Sequence, residues 1–242
     1  MRTTRIAVLG AAALAAGGVI AASASAGVPA RHGAPVVNPA QFNHPQDNPY
    51  FPLEPGTVSF YRGTDGGERL HERVTVTRRT KDIQGVTTTV VRDVLRRADG
   101  SLAEKTHDWY AADNDGNVWY FGENTATYDK HGHVDSREGS WQAGVHGAVA
   151  GTIMPANPKP TDAYRQEFYG GHAEDQAWIV QRHAKTSVPY GRVHDVVRSF
   201  EWTRLEPHVM SVKFYAPGLG IVREKDVAGG SEAFELVAVR HQ

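Results

Sequence analysis

The chain has 242 residues, of which 40% are hydrophobic and 22% are charged, and its formal net charge at pH 7 is −1. This composition is typical of a globular protein and excludes a collagen-like, coiled-coil or largely disordered chain. The absence of cysteine excludes disulfides, iron–sulfur clusters, thiolate zinc sites and cysteine nucleophiles. Because the charge is close to neutral, we expect no nucleic-acid partner.

The N-terminal residues have the pattern of a secretory signal peptide. A short basic region, residues 1–5, precedes an apolar stretch rich in Ala and Gly, and Ala24, Ser25 and Ala26 form a small-residue cleavage site. We predict that residues 1–26 are removed, which leaves a soluble, extracellular protein without stable membrane insertion. A retained membrane anchor is the alternative, although the stretch is only marginally hydrophobic for a bilayer-spanning helix.

Residues 27–48 are rich in Pro, Asn and Gln and predict a flexible tether. Residues 49–242 predict a single antiparallel β domain, because runs of β-branched and alternating residues are separated by turn sequences such as that at 114–117. The predicted strands include 57–62, 70–79, 86–96, 164–169, 177–185, 193–205, 209–215, 220–227 and 232–240.

About ten strands are too many for one flat sheet. The predicted fold class is therefore all-β, with at most a minor helical part, built as a strongly curved antiparallel sheet, a sandwich or an open barrel. Residues 138–161 contain scattered glycines and several prolines, and they predict a long loop over one edge or mouth of the sheet.

Oxygen side chains alternate in one turn of the predicted sheet. Asp113, Asp115 and Asn117 surround Gly116, which permits a tight bend, and Glu123 follows six residues later. Such oxygens are typical ligands of Ca²⁺, so the four polar residues are candidate calcium ligands and Ca²⁺ is the candidate cofactor. The order differs from that of an EF-hand, because Gly116 precedes Asn117 and a strand pattern follows. The alternative is a plain hairpin turn, which Asp-Gly also predicts.

Aromatic residues are dense around this turn. Trp109, Trp119, Phe121 and Trp141 are candidate ligand-binding residues, and strand alternation places Trp119 and Phe121 on the same face. If that face is open, it lines a groove for an apolar molecule. The alternative is that these rings belong to the hydrophobic core.

Acidic and imidazole side chains form a third group. Glu167, His172, Glu174, Asp175 and Glu201 are candidates for acid/base catalysis, although no metal-ligand or catalytic spacing joins them. A solvated loop is the alternative for the residues around His172. The sequence lacks Gly-x-Ser-x-Gly and the phosphate-loop and dinucleotide-binding fingerprints, which argues against these classes of enzyme.

Three segments, residues 108–123, 139–141 and 215–224, resemble parts of uncharacterised exported proteins that are common in actinobacteria. This resemblance covers residues 48–239 and implies no activity. The Tyr-x-Pro-Gly-x-Gly-x-Val pattern from Tyr215 is also similar to a hairpin of β-rich bacterial envelope proteins and lipoproteins, some of which are thought to be related to curved-sheet lipid carriers. The chain departs from the lipoproteins because it has no cysteine to carry a lipid.

Two functions from different classes follow as hypotheses. The first is a secreted binding protein that holds an apolar or amphipathic small molecule on an aromatic-lined β face, with calcium in a structural role. The second is an extracellular hydrolase that uses carboxylate and histidine residues for acid/base catalysis. A cell-envelope component is a further candidate partner.

Overall fold

The computed structural model describes residues 37–242, so the predicted signal peptide and the first part of the predicted tether lie outside the described residues. A short 3₁₀ turn (Pro39–Phe42) precedes fifteen strands. The strands are β1 (Thr57–Asp65), β2 (Glu68–Ile83), β3 (Val86–Arg97), β4 (Leu102–Ala112), β5 (Val118–Tyr128), β6 (Val134–Ser136), β7 (Trp141–Gln142), β8 (Val149–Met154), β9 (Ala163–Arg165), β10 (Glu167–Phe168), β11 (Asp175–Val188), β12 (Gly191–Thr203), β13 (Met210–Ala216), β14 (Gly220–Ala228) and β15 (Ala233–His241).

The strands form one antiparallel sheet that curves into a nearly closed barrel. Its hydrogen-bonded order is β10-β8-β5-β4-β3-β2-β1-β15-β14-β13-β12-β11-β9, and β6 and β7 pair with β5 outside this path. The two ends of the path, β10 and β9, are separated along the chain only by Gln166. The all-β prediction is confirmed, and of the predicted shapes the structure adopts the open barrel.

The barrel closes where residues 163–168 cross from β11 to β8. The backbone approach at this seam is so tight that a Cβ on Gly151 would lie 2.5 Å from the carbonyl oxygen of Arg165 and 2.6 Å from the backbone of Gln166. Only glycine permits such an approach. The hydroxyl of Tyr164 also reaches the carbonyl oxygen of Ile153 across the seam, at 3.5 Å.

The segment 138–161 is not the irregular loop that we expected, because it contains β7 and β8. β8 pairs with β5 on one side and with β10 on the other, so it belongs to the barrel wall. Its glycine and alanine residues give little hydrophobic alternation, and Gly151 is required by the close approach at the seam. The pattern that marks most strands is therefore weak here.

Residues from Val37 onward in the predicted tether pack against the barrel. The amide of Asn48 is buried and donates to the carbonyl oxygens of Gly116 at 2.8 Å and Pro155 at 3.1 Å. The backbone N–H of Gln46 donates to the carbonyl oxygen of Asp113 at 3.0 Å. The described part of this segment is thus a strap over the outer wall.

Alternation along the strands divides each one into an outer and an inner face. On β2, the buried inner positions are Leu70, Glu72, Val74 and Val76, whereas His71 and Arg73 between them are exposed. Glu72 is only 2% exposed, although it stands in a row of aliphatic residues. The same insertion of a charged residue into the apolar inner row occurs on most of the other long strands.

Candidate binding site in the barrel interior

A belt of carboxyl groups runs around the inside of the barrel. We call it the carboxylate belt, and it includes one lysine, Lys213 on β13. Its acidic members are Glu72 on β2, Asp93 on β3, Asp108 on β4, Glu123 on β5, Glu167 on β10, Asp175 on β11, Glu201 on β12 and Glu224 on β14.

The register of the sheet places several belt members next to one another. Asp108 lies directly opposite Glu123, and Lys213 lies directly opposite Glu224. Side chains opposite each other on adjacent strands are roughly 5 Å apart at Cβ. Like charges at this distance repel each other, so the belt requires protons, counter-ions or hydrogen-bond donors.

One part of the belt has its partners. The Lys213 ammonium lies 3.2 Å from Glu201 and 3.4 Å from Glu224. The Glu201 carboxylate also accepts hydrogen bonds from the hydroxyls of Tyr215 and Ser199, both at 2.7 Å, and from the amide of Gln166 at 3.0 Å. These contacts account for both oxygens of Glu201.

Another part of the belt lacks donors within the described residues. Both carboxyl oxygens of Glu167 are buried without a hydrogen-bond partner, and so are Asp108 Oδ2 and Glu123 Oε1. The indole Nε1 of Trp141 is also buried and lies near Glu167 without a well-formed hydrogen bond to it. Trp141 lies opposite Glu123 in the register, so its indole and the carboxyl groups of Glu123 and Glu167 occur in one region.

Burial changes the protonation of the belt. Desolvation raises the pKa of Asp108 to about 8, with a further contribution from Asp93. Desolvation likewise raises the pKa of Glu224 to about 8, although Lys213 opposes this, and it raises that of Asp175 to about 7. Burial and the nearby Asp175 raise the pKa of Glu167 well above its usual value.

The pKa of Glu201 is shifted in the opposite direction. Burial opposes ionisation, but Lys213 and the hydroxyl and amide donors overcome this effect and lower the pKa of Glu201. The pKa of Glu201 beside Lys213 is thus lowered, whereas burial raises the pKa of the other belt carboxyl groups to different extents, to about 6 for Asp93 and about 8 for Asp108.

Aromatic rings form the wall beside the part of the belt that lacks donors. Tyr110 and Tyr120 are stacked with their ring centroids 4.7 Å apart, and Trp141 meets Tyr120 edge to face at 5.4 Å. The hydroxyl of Tyr120 donates to Asp108 Oδ1 at 2.8 Å. The region therefore combines flat aromatic surfaces with buried hydrogen-bond acceptors.

Solvent reaches the belt at some points. Asp93 and Asp175 remain partly exposed, and Glu104, which faces the interior from β4, does so as well. Burial raises the pKa of Glu104 to about 8, with Asp93 adding to the effect.

The residues proposed for calcium do not form one cluster. Asp113 accepts hydrogen bonds from the backbone N–H groups of Asp115 and Asn117, from the amide of Asn117 and from the indole of Trp119, all between 2.8 and 3.0 Å. Glu123 belongs to the belt in the interior. Within residues 37–242, no group of three or more Asp, Glu or His side chains has a geometry suited to a metal ion.

The candidate aromatic residues lie in three different places. Trp119 and Phe121 share the outer face, where the ring of Phe42 from the strap covers both at 6.0 and 5.7 Å. Lys81 lies 3.3 Å above the ring of Trp109, also on the outer side. Of the four, Trp141 is the one that lines the interior.

The candidate catalytic residues divide into two sets. Glu167, Asp175 and Glu201 are members of the carboxylate belt. His172 is exposed and stacks on Tyr169, with a centroid distance of 4.3 Å. Glu174 accepts from the backbone N–H of Gly171 at 2.9 Å in the same turn.

The structure thus joins residues that the sequence placed in separate groups: Glu123, Glu167, Asp175, Glu201 and Trp141. Sequence reasoning did not select Glu72, Asp93, Asp108, Lys213 or Glu224. The signal that identifies them is a charged residue in the apolar row of an alternating strand, as at Glu72.

Together, the fold and the interior define a nearly closed, antiparallel β-barrel with an acidic, aromatic-lined core. No family model matches the chain, and no curated protein matches it. None of the secondary structure described for residues 37–242 includes a helix with the length and hydrophobicity that a membrane crossing requires.

Solved structures offer two similar folds. One is described as a "putative exported protein with YmcC-like fold" from Bacteroides fragilis; it is 15% identical, with a TM-score of 0.46, and the match covers 79% of this chain and 98% of that one. The other is described as a "putative lipoprotein" from Parabacteroides distasonis; it is 11% identical, also with a TM-score of 0.46, and the match covers 81% of this chain and 100% of that one.

Proposed function

We propose that the chain is a secreted binding protein whose barrel interior holds a small amphipathic molecule. The donor-bearing or cationic end of this molecule lies at Glu123 and Glu167, and its apolar part lies against Tyr120 and Trp141. The observation that supports this most directly is the set of buried carboxyl oxygens of Asp108, Glu123 and Glu167 that lack well-formed hydrogen bonds beside the indole of Trp141.

The physical reason is the cost of burial. A buried polar group without a hydrogen bond costs about 1–3 kcal/mol, and a buried charge costs more. Several such groups in one region make an interior that is less stable than an aliphatic one of the same shape. Local violations of good packing chemistry are expected at functional sites, where a ligand or ordered water supplies the missing partners.

The chemistry of the belt favours an amine over an acid as the ligand. An ammonium group supplies three donors and a positive charge, which matches Glu123 and Glu167, whereas a carboxylate would add to the repulsion. Because burial raises the pKa of both residues, ammonium binding must release protons from the belt. Affinity for an amine is therefore expected to increase from pH 6 to pH 8. Calcium is not part of this proposal, since Asp113 already accepts four hydrogen bonds.

The test is calorimetric titration with n-octylamine and with n-octanol, which share an apolar chain. We expect octylamine to bind more tightly, and Glu167→Gln to weaken its binding by about tenfold or more through loss of a charge-assisted contact. Octanol binding should change little in the same variant. Glu54→Gln, at an exposed carboxyl, is the matched control and should bind as the unaltered protein does. Equal affinities for octylamine in all three proteins would contradict the proposal.

A second candidate function has one specific observation in its favour. The pKa of Glu167 is raised and that of Glu201 is lowered, and carboxyl groups pushed apart in this way can divide the roles of acid and base in hydrolysis. If the chain is an extracellular hydrolase that uses this pair, it should hydrolyse a glycan or ester substrate. Both Glu167→Gln and Glu201→Gln should then abolish this activity. Turnover that survives both substitutions would remove this candidate.

A further inference from the structure

The outer face of β1 to β4 carries basic residues in register. Arg62 on β1 lies opposite His71 on β2, which lies opposite Arg96 on β3. In another row of the same face, Arg73 on β2 lies opposite Val94, and Val94 lies opposite Lys105 on β4. A further pair, Arg92 and His107, lies opposite each other on β3 and β4.

The acids near this face do not compensate its charge. Glu235 lies opposite Arg62, but its carboxylate is engaged by Arg223 at 2.6 Å. Glu68, at the start of β2, lies 3.8 Å from Arg97. Burial and the nearby Lys105 lower the pKa of His107, so the permanent positive charge of this face comes from its arginines and Lys105.

A groove of about 410 Å³ lies among these cations. The exposed side chains of Arg62, His71, Arg73 and Arg96 line it, and all four can donate hydrogen bonds. Its apolar lining comes from Phe60, Val94 and Val237, and the buried inner residues Tyr61 and Glu72 complete it. Val237 is 38% exposed, which is high for an aliphatic residue of this barrel. A concave surface with cationic and apolar parts is suited to an anionic group attached to a hydrocarbon.

We propose that this basic face, residues Phe60, Arg62, His71, Arg73, Val94, Arg96 and Val237, docks the protein on the surface of a bilayer that contains anionic phospholipid. A lipid phosphate would bind to the arginine side chains in the groove, and the adjoining glycerol and first methylene groups would contact the apolar residues. The contact is peripheral and inserts no element of the barrel. It is independent of the function proposed for the interior.

The surroundings of the groove favour a bilayer over a free polyanion. A polyanion needs only cations, whereas the apolar residues beside the arginines match the boundary between headgroup and acyl chain. The basic surface also continues beyond the groove to Lys105 and Arg92, farther than one small anion would reach. Each basic side chain near an anionic membrane adds a favourable increment, so a surface of this size supports weak, salt-sensitive attachment.

This basic surface cannot be recognised from the net charge of the sequence, which is close to zero. Many of the acids that balance the arginines lie in the carboxylate belt, inside the barrel and away from the face. The outer surface is therefore more basic than the formal charge of −1 indicates.

The test is co-sedimentation of the secreted protein with vesicles of phosphatidylcholine alone and with vesicles that also contain phosphatidylglycerol. We expect binding to the mixed vesicles at low salt, weak binding to phosphatidylcholine alone, and release at high salt. Arg62→Gln/Arg73→Gln should reduce the partition coefficient about tenfold or more. Lys185→Gln/Arg192→Gln, at exposed positions on β11 and β12, changes the net charge equally and should leave binding nearly unchanged.

Three results would overturn the proposal. The first is an equal loss of binding in both double variants, which would indicate net charge alone. The second is binding to polyphosphate with none to the mixed vesicles, which would identify a polyanion as the partner. The third is absence of binding to the mixed vesicles at low salt by protein whose circular dichroism shows the native fold. Octylamine binding in the interior should be the same in all of these variants, so this test and that of the interior fail separately.

Discussion

The free energy of unfolding is expected to fall as the pH rises from about 5 to about 8, which is the reverse of ordinary acid denaturation. The pKa values of Glu104, Asp108 and Glu224 are raised to about 8 in the folded chain, mainly because burial disfavours the charged form. In the unfolded chain these groups ionise near pH 4. Between the two values the unfolded state binds fewer protons, so stability falls with increasing pH.

The sign and size of this change in the free energy of unfolding follow from the linkage of proton binding to folding. The contribution of these groups is fully present below about pH 4 and is lost as the pH rises through about 8. Each pKa unit corresponds to about 1.4 kcal/mol for one group, so a single group whose pKa moves from about 4 to about 8 should cost roughly 4 kcal/mol between pH 5 and pH 8, and the three groups together should cost more. Glu201 acts in the opposite direction at lower pH, because its pKa is lowered by Lys213 and its other donors.

Urea unfolding followed by fluorescence at a series of pH values measures this dependence. Asp108→Asn should flatten the slope, since an amide cannot ionise at the same position. Asp115→Asn, in the outer turn, is the matched control and should leave the slope unchanged. Stability that is constant or increases between pH 5 and pH 8 would show that the belt is ionised in the folded protein.

Lys213→Met is expected to be the most destabilising single substitution in the interior. It removes the counter-ion of Glu201 and Glu224, which lie 3.2 and 3.4 Å from the ammonium, in a region from which water is largely excluded. Breaking a buried ion pair by removing one partner typically costs about 3–5 kcal/mol. The loss should be smaller at pH 5 than at pH 8, because the remaining carboxylates can then take up protons.

Two further variants make this test specific. Lys213→Met/Glu224→Gln should recover part of the lost stability, since it removes one of the carboxylates that has lost its counter-ion. Lys185→Met, at an exposed lysine on β11, should change the free energy of unfolding by no more than about 0.5 kcal/mol. A loss at Lys213 that is equal at both pH values would mean that the lysine acts through packing alone.

Much of the fold follows from local patterns in the sequence. Val74 and Val76 alternate with polar residues on β2, and Asp-Gly at 115–116 forms the turn that connects β4 to β5. Such patterns depend only on neighbouring residues and can be recognised without knowledge of the partner strands. β8 was missed because its sequence is shaped by the close approach at Gly151, which depends on residues 165–166 from a distant part of the chain.

The site was harder to predict because its eight carboxyl groups and Lys213 are distributed over nine strands. Sequence spacing located Glu167, Asp175 and Glu201 but could not show that they belong to one interior, since that depends on how the sheet curves. Glu72 and Asp108 were passed over because a charged residue on a strand is usually on the solvated face. Both stand in phase with buried residues, which marks them as interior positions.

The position of Phe42 explains why the four candidate aromatic residues do not all line one binding face. Trp119 and Phe121 do share one face, as strand alternation predicts, but the strap covers that face with the ring of Phe42. The sequence of the strap, rich in Pro and Asn, is typical of a tether and gives no sign of this contact. The interior ring of Trp141 therefore becomes the aromatic residue on which the proposed binding site depends.

The most direct test of the proposed binding function is native mass spectrometry of the protein from the culture medium of the organism that encodes it, compared with the mass of the denatured chain. We expect an excess that matches one small organic molecule with an amine or several hydroxyl donors, and a lower occupancy of that molecule in Glu167→Gln. A native mass equal to that of the chain alone, or an excess unaffected by Glu167→Gln, would contradict it.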